Sequence, residues 1–308
     1  MSSTRLYMLH AMTPLHAGVG EGLGAINLPT AREKSTGYPY MPGSSVKGVL
    51  REFAELQNGP MSKNVVVAFG PPTKHAADSR GGLVFTDANI LCLPIRSLWG
   101  TFAWVTSPFV LRRLSRDAAE AGLTGTPQVT CEPNMQAWLP TNTCLRSPSG
   151  LFLEEMRLTD QPDSVLANAW ATWLGDKLFA HDAGERDFFA RRFVVVDDDV
   201  FKFYAKLSLE VRSRVKIDDE RGTAAASGPW KEEHLPTETL LYGMTIARQT
   251  AYVERAKNAA GEPTVLDPVA QQAAESMHVL EALLKSRPML RFGGHSSVGL
   301  GRARIALV

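Results

Sequence analysis

Apolar and polar positions follow two periods along this chain, and each change of period marks an element. Residues 5–12 read as a first strand. The glycine-rich stretch HAGVGEGLGAINLP follows. It leads to SSVKGVLREFAELQ, where Val46, Val49, Leu50 and Phe53 fall at helical spacing and Ser44 or Ser45 is placed to cap the N-terminus. The loop FGPPTKHAADSRGG separates that helix from a strand at Leu83–Phe85, with a further strand near 99–105. Ser107-Pro108 opens a helix that Gly122 closes, and residues 123–149, rich in Pro, Thr and Asn, read as loop or insertion.

Residues 164–178 are helical in pattern, and the β-branched run Phe193–Val196 is a short buried strand. Strict alternation follows. Leu209, Val211, Val215 and Ile217 share one face, and Arg212, Arg214 and Lys216 the other. The turn signal DDERG makes this a projecting β-hairpin. Asp267-Pro268 opens a helix running to Leu284, with Val269, Ala273, Met277, Leu280 and Leu284 inward. The chain closes with a strand MLRF, the loop GGHSSVGLG and a strand RARIALV. Strands and helices mix without strict alternation, which predicts an α+β fold. No internal repeat is visible.

Composition narrows the function classes. The chain of 308 residues is 44% hydrophobic and 21% charged, as expected of a globular protein with a sizeable core. It has no apolar run of about 18 residues, hence no membrane helix, and its first residues lack the pattern of a signal peptide. Cys92, Cys131 and Cys144 show no CxxC spacing, so neither a disulfide framework nor a zinc site is indicated, and a reducing cytoplasm fits. A formal net charge of +1 argues against loose, non-specific nucleic-acid binding. It leaves room for a focused basic patch.

Several groups could carry chemistry. Gly18, Gly20, Gly22 and Gly24 alternate without the lysine of a P-loop or the GxGxxG of a dinucleotide site, so a flexible hairpin is the alternative reading. Gly293, Gly294, Gly299 and Gly301 surround His295 and Ser296, and GxSxG is not satisfied. Glycine main chain can approach phosphates closely, and Arg291, Arg302 and Arg304 flank this loop. Lys47 and Arg51 share a face of the first helix beside Ser44 and Ser45. They make either a phosphate clamp or a solvated basic face. Alternate residues on a strand stand about 6.6 Å apart. Arg212, Arg214 and Lys216 could therefore track a nucleic-acid backbone, or guard an exposed edge. The run Asp197-Asp198-Asp199 reads as a solvated turn, and no metal ligand set is assigned.

Taken together, HAGVGEGLGAINLPTAREKSTGYPYMPGSSVKGVLRE, FGPP…RGGLVFTDANIL, RVKIDDERG…WKEEHLP and LRFGGHSSVGLGR resemble the backbone subunit of type III-B (Cmr-type) CRISPR effector complexes, in the RAMP superfamily. Residues 105–190 carry little of the likeness. The resemblance implies a single domain over residues 1–308, with a modified RRM-like, ferredoxin-type core. Insertions at approximately 55–85 and 123–150 would form palm and fingers, and a hairpin near 207–231 a thumb. It also implies partners: guide CRISPR RNA, target RNA, further copies in a helical stack, a large polymerase-like subunit, small subunits and capping RAMP subunits, with no membrane. Base pairing would supply the sequence specificity while the protein reads backbone and shape. Lys47 and Arg51 would hold guide phosphates, and the Gly293–Gly301 loop would lie along the RNA.

Family members cut target RNA with Mg²⁺ or Mn²⁺, using an aspartate in a G-x-x-D-L-P setting. Here Asn27 holds that place, and His16, Glu232 and His234 resemble secondary site positions. An amide is a weak metal ligand and no base near neutral pH. The expectation is therefore a chain that binds target but cuts it slowly or not at all, with Asn27→Asp restoring cleavage. Two other functions compete. One is a metal-independent guide-processing ribonuclease with His16 or His295 as acid/base. The other is a phosphometabolite enzyme using the glycine loops as phosphate cradles.

Overall fold

A computed structural model describes residues 3–18, 20, 22, 25–130, 132–134, 136–162, 164–217, 222, 228–253, 255–257, 263–265, 268–285 and 288–308. Gly24, Cys131, the hairpin tip around Asp218–Arg221, Asp267 and the side chain of Ser296 lie outside what it describes.

The fold is α+β, as the mixed periodicity predicts. Ten strands carry most of the architecture: β1 (Ser3–Ala11), β2 (Leu83–Phe85), β3 (Ala88–Arg96), β4 (Phe102–Thr106), β5 (Phe193–Val196), β6 (Glu210–Arg214), β7 (Trp230–His234), β8 (Leu240–Ala247), β9 (Met289–Arg291) and β10 (Arg302–Leu307). The main sheet runs β9-β10-β1-β8-β3-β4-β5. It continues through the short strands Gln136–Trp138, Met156–Gln161, Gly150–Leu153 and Arg146–Ser147. β1 sits between antiparallel neighbours, with Leu9 opposite Leu241 on one side and Ile305 on the other. Flanked this way, it buries Leu6, Tyr7, Met8 and Leu9 almost completely, which is why its sequence reads as a near-continuous apolar run rather than alternating.

The helices are α1 (Gly43–Asn58), α2 (Lys63–Phe69), α3 (Pro108–Glu120), α4 (Val165–Leu178), α5 (Ala183–Ala190), α6 (Asp198–Leu207) and α7 (Ala273–Leu284). α1 buries Val46, Leu50 and Ala54. Neither Ser44 nor Ser45 caps it. Pro42 holds the N-cap position, and the Gly43 amide donates to Asp87 Oδ1 at 2.8 Å. Gly43 itself packs against main chain, because a Cβ there would lie 2.4 Å from the Phe85 carbonyl.

Four sequence expectations need correction. α2 was not among the expected elements and lies between α1 and the loop that begins at Phe69. Its Asn-Val-Val-Val run favours strand, but Ser62 Oγ accepts from the Val65 amide and fixes a helical start. β3 was not among the expected strands, and it contains a proline, Pro94. Pro94 is paired with Trp104 near the strand's end. The 123–149 segment is not all loop, because its short strands extend the sheet. α7 begins at Ala273 instead of Asp267-Pro268. Val269 belongs to a short strand and is 58% exposed, and the Gln272 amide donates to Glu275 Oε1 at the helix start.

The hairpin expected near 207–231 is present as β6 paired antiparallel with β7, Arg212 opposite Glu232 and Arg214 opposite Trp230. Of its apolar face only Leu209 is buried: Val211, Val215 and Ile217 are each about half exposed. The acidic run caps helices. Asp197 accepts from the Asp199 amide, and Asp198 from the amide of Phe109 in α3.

Candidate nucleic-acid interface

The two glycine loops, far apart in sequence, meet. β1 and β10 are neighbours, so the loop leaving β1 and the loop entering β10 emerge side by side. The Gly294 amide donates to the His16 carbonyl at 3.0 Å, and the Gly301 amide to that of Pro14 at 2.9 Å. Gly293 is indispensable here. Its φ is +79°, and a Cβ would lie 2.3 Å from the His16 carbonyl oxygen. The seam opens into a groove of about 510 Å³ lined by His16, Gly18, Gly20, Ser45, Gly293 and Gly294, among others.

α1 meets this groove with Ser45, Gly48, Val49 and Glu52. Lys47 and Arg51 lie roughly on the opposite side of the helix, since each residue advances about 100°. Lys47 Nζ donates to the Leu83 carbonyl at 2.9 Å, and Arg51 pairs with Glu55 at 2.7 Å. Burial, with Arg51 adding to it, pushes the Lys47 ammonium below its ordinary pKa. The expected clamp of glycine loop and helix cations is therefore not assembled. Ser45 reaches the groove and Ser44 is exposed beside it.

At the other end of the C-terminal loop, Arg291 stands directly opposite Arg302 across the β9–β10 ladder, with Arg304 two residues on. All three are exposed. None has an ion pair among the described residues, and Arg302 reaches only the Met289 sulfur. Gly299 and Gly301, both at positive φ, carry the chain back into β10, and His295 also adopts the left-handed conformation, at φ 63°.

Beside the groove lies a polar cluster. Residues 27–28 run alongside β7: the Leu28 amide donates to the Lys231 carbonyl, and the Lys231 amide to Asn27 Oδ1 at 2.9 Å. β7 alternates its two acids. Glu233 turns one way, to Arg32 at 2.7 Å and the Thr30 amide at 3.0 Å. Glu232 turns the other way and is completely buried. Its Oε1 accepts from Trp230 Nε1 at 2.7 Å and lies 3.1 Å from His295 Nε2. Its Oε2 lies 2.5 Å from Arg214 Nε and 3.5 Å from His234 Nε2. Burial alone would raise the Glu232 pKa, but the Trp230 hydrogen bond and the charges of His295, Arg214 and His16 together hold it below the ordinary carboxylate value.

Three histidines complete the cluster. The ring of His16 lies 5.2 Å from that of His234 and 5.4 Å from that of His295. His16 Nδ1 donates to the Glu233 carbonyl at 2.9 Å, which leaves Nε2 as the bare nitrogen, facing Gly18. His234 is fully buried and neither ring nitrogen has a hydrogen-bond partner. Burial, reinforced by His16, pushes its pKa down to about 4, so the ring is neutral at pH 7.

Asn27, His16, Glu232 and His234 are thus brought together, and Arg214 and His295 join them. Arg212 turns to Glu210 at 2.7 Å, and Lys216 is exposed outside the cluster, so the expected basic track along the hairpin is broken. Trp230 and the Arg214 contact were missed in the sequence. The signal was present, because positions 212 and 214 alternate in step with 230, 232 and 234. These residues do not fit a divalent cation: Glu232 Oε1 accepts from Trp230, the Arg214 guanidinium occupies the approach to Oε2 as an ion pair without a directed hydrogen bond, and the Asn27 oxygen faces a main-chain amide. Among the described residues no group of three or more His, Cys, Asp or Glu side chains is arranged to hold a metal, and no helix is long and apolar enough to cross a membrane.

Comparison with known proteins accounts for this geometry. The RAMP superfamily profile matches residues 8–304. The CRISPR system Cmr endoribonuclease Cmr4 of Pyrococcus furiosus is 31% identical over 308 residues, spanning 97% of this chain and 94% of its own length. The crystal structure of oligomeric Cmr4 from Pyrococcus furiosus superposes with a TM-score of 0.71 at 26% identity, covering 99% of this chain and 97% of that one. A chain of the type III-B Cmr-beta complex bound to cognate target RNA, seen by cryo-EM, shares the fold with a TM-score of 0.69 at 18% identity, covering 99% and 96%. The chain belongs to the RAMP superfamily and, within it, to the Cmr4 family.

Proposed function

We propose that this chain is a backbone subunit of a type III-B CRISPR effector, which holds guide RNA and the guide–target duplex. One observation carries the reading: two glycine loops converge on a single groove, with three arginines at the foot of the second that have no ion pair among the described residues. Glycine main chain lets a ribose–phosphate strand approach closely, and cations without internal partners neutralise phosphates while leaving the bases free to pair. Copies of the chain would stack along the guide. The β6–β7 hairpin, with its half-exposed Val211, Val215 and Ile217, would bear on the duplex as the thumb. The segments near 55–85 and 123–150 would be insertions on an RRM-like core. The large polymerase-like subunit, the small subunits and the capping RAMP subunits would complete the assembly. Target RNA would be bound and left intact, because Asn27 supplies neither a base nor an anionic ligand.

The test is RNA affinity measured against salt. Replacing Arg291, Arg302 and Arg304 by Ala should weaken single-strand binding and flatten the log–log salt slope by about 2, at roughly 0.7 per lost phosphate contact. An unchanged slope refutes the interface. Periodic cleavage of matched target by the assembled complex in Mg²⁺ or Mn²⁺ refutes the binding-only reading.

A second reading rests on the meeting of His16, His234 and His295 around Glu232: a metal-independent ribonuclease that processes guide precursors. Such an enzyme cuts repeat RNA alone in EDTA, whereas a scaffold does not.

A further inference from the structure

We propose that Arg214 is the resident counter-ion of Glu232 and takes the place of a divalent cation, so that this site meets RNA as a metal-free seat for a phosphodiester. The proposal deepens the reading of Asn27, Glu232 and the histidines as the family's reaction site, and it rests on that reading.

The case begins with the ladder. Arg214 pairs with Trp230, and Glu232 is two residues further along β7 on the same face. A diagonal neighbour at that spacing is within reach of an arginine, and Nε closes to 2.5 Å on Oε2. Glu232 is wholly buried, so its charge needs a permanent partner. The guanidinium provides one from within the chain. It is itself only a quarter exposed, held between the acid and the hairpin.

Charge and donors then decide what the site accepts. Glu232 contributes −1, Arg214 +1, and Asn27, where the family resemblance expects −1, contributes 0. A cation site needs approachable anionic oxygens; here Trp230 and His295 lie on Oε1, and the Arg214 guanidinium stands against Oε2, which has no hydrogen-bond partner but is blocked and neutralised by that charge. What remains toward the groove is donor-rich. Asn27 turns its oxygen to the Lys231 amide, which leaves its NH₂ as the exposed end. His16, Ser45 and the main chain of Gly18, Gly293 and Gly294 line the groove beside it, with Glu52 of α1 the one acid of that lining. Such a surface suits an anion. Two changes would then be needed to recreate a cation site: an acid at 27, and removal of the guanidinium. Asn27→Asp alone would place its new charge next to an acid that is already neutralised.

Mn²⁺ binding to the full chain, followed by the loss of the free-ion EPR signal, tests this without relying on activity. The wild type and Asn27→Asp should leave Mn²⁺ free, and Asn27→Asp/Arg214→Gln should bind it at least about tenfold more tightly than Asn27→Asp. Adding Glu232→Gln to the double variant should abolish the gain. Equal Mn²⁺ binding by Asn27→Asp and the double variant overturns the role of Arg214 and leaves the site assignment standing. No binding by the folded double variant overturns the site assignment, and the proposal with it. A measurement on the unmodified site covers the case in which Arg214→Gln does not fold. The Arg214 Nε–H resonance, assigned by its loss in Arg214→Lys, should exchange with water far more slowly than those of exposed arginines such as Arg304. Exchange as fast as theirs overturns the proposal.

Discussion

Gly293 holds the two halves of the site together, and its tolerance to change is set by geometry. Gly293→Ala places a methyl group 2.3 Å from the His16 carbonyl at a φ of +79°. The variant should lose roughly 1–3 kcal/mol of stability in denaturant titration, with weaker RNA binding because the seam opens. His234 sets a pH response. Its folded pKa of about 4 lies below the ordinary 6.5, so the unfolded chain binds a proton between those values that the folded chain does not. This contribution to stability is complete above pH 6.5 and is lost as pH falls toward 4, on the order of 3 kcal/mol across the window. Stability measured from pH 7 to 4 should therefore fall less steeply in His234→Gln than in the wild type.

Among the elements, α1 shows what local sequence can and cannot say. Its apolar spacing identifies the helix and its buried face. Its cap comes from Asp87, 44 residues away, which no local reading of the two serines could find. Asp87→Ala should cost about 1 kcal/mol, seen as a lower denaturation midpoint at unchanged m-value. The hairpin is the converse case. Alternation gave its first strand and its basic face correctly, but a face is basic in isolation only. Once β7 pairs with it, Arg214 serves an acid inside the molecule and Arg212 a neighbouring one. α2 and β3 escaped detection because packing overrode propensity, through a serine cap in one and a tolerated proline in the other.

For the molecule as a whole, near-neutrality does not conflict with the proposed binding of RNA. Arg51, Arg113, Arg212 and Arg214 are each paired with an acid, while Arg291, Arg302 and Arg304 have no ion pair among the described residues. Net charge counts all of these alike, and only the fold separates spent cations from available ones. Replacing Lys47 and Arg51 by Gln should accordingly leave RNA affinity and its salt slope unchanged, in contrast to the arginines of β9 and β10. A fluorescence anisotropy titration at several salt concentrations distinguishes the two sets. The convergence of the glycine loops was likewise hidden in the sequence, since it depends on β1 and β10 being neighbours although nearly 300 positions separate them.

The opposed side chains of Glu232 and Glu233 limit how this protein can be re-engineered. Inserting one residue into the stalk of the hairpin would rotate the strand by half a period, delivering Glu233 to the histidines and stranding Arg32. Inserting two would restore the phase. Length can be grafted freely beyond the last paired rung at Arg214 and Trp230, but below it only even-numbered insertions keep the wiring intact.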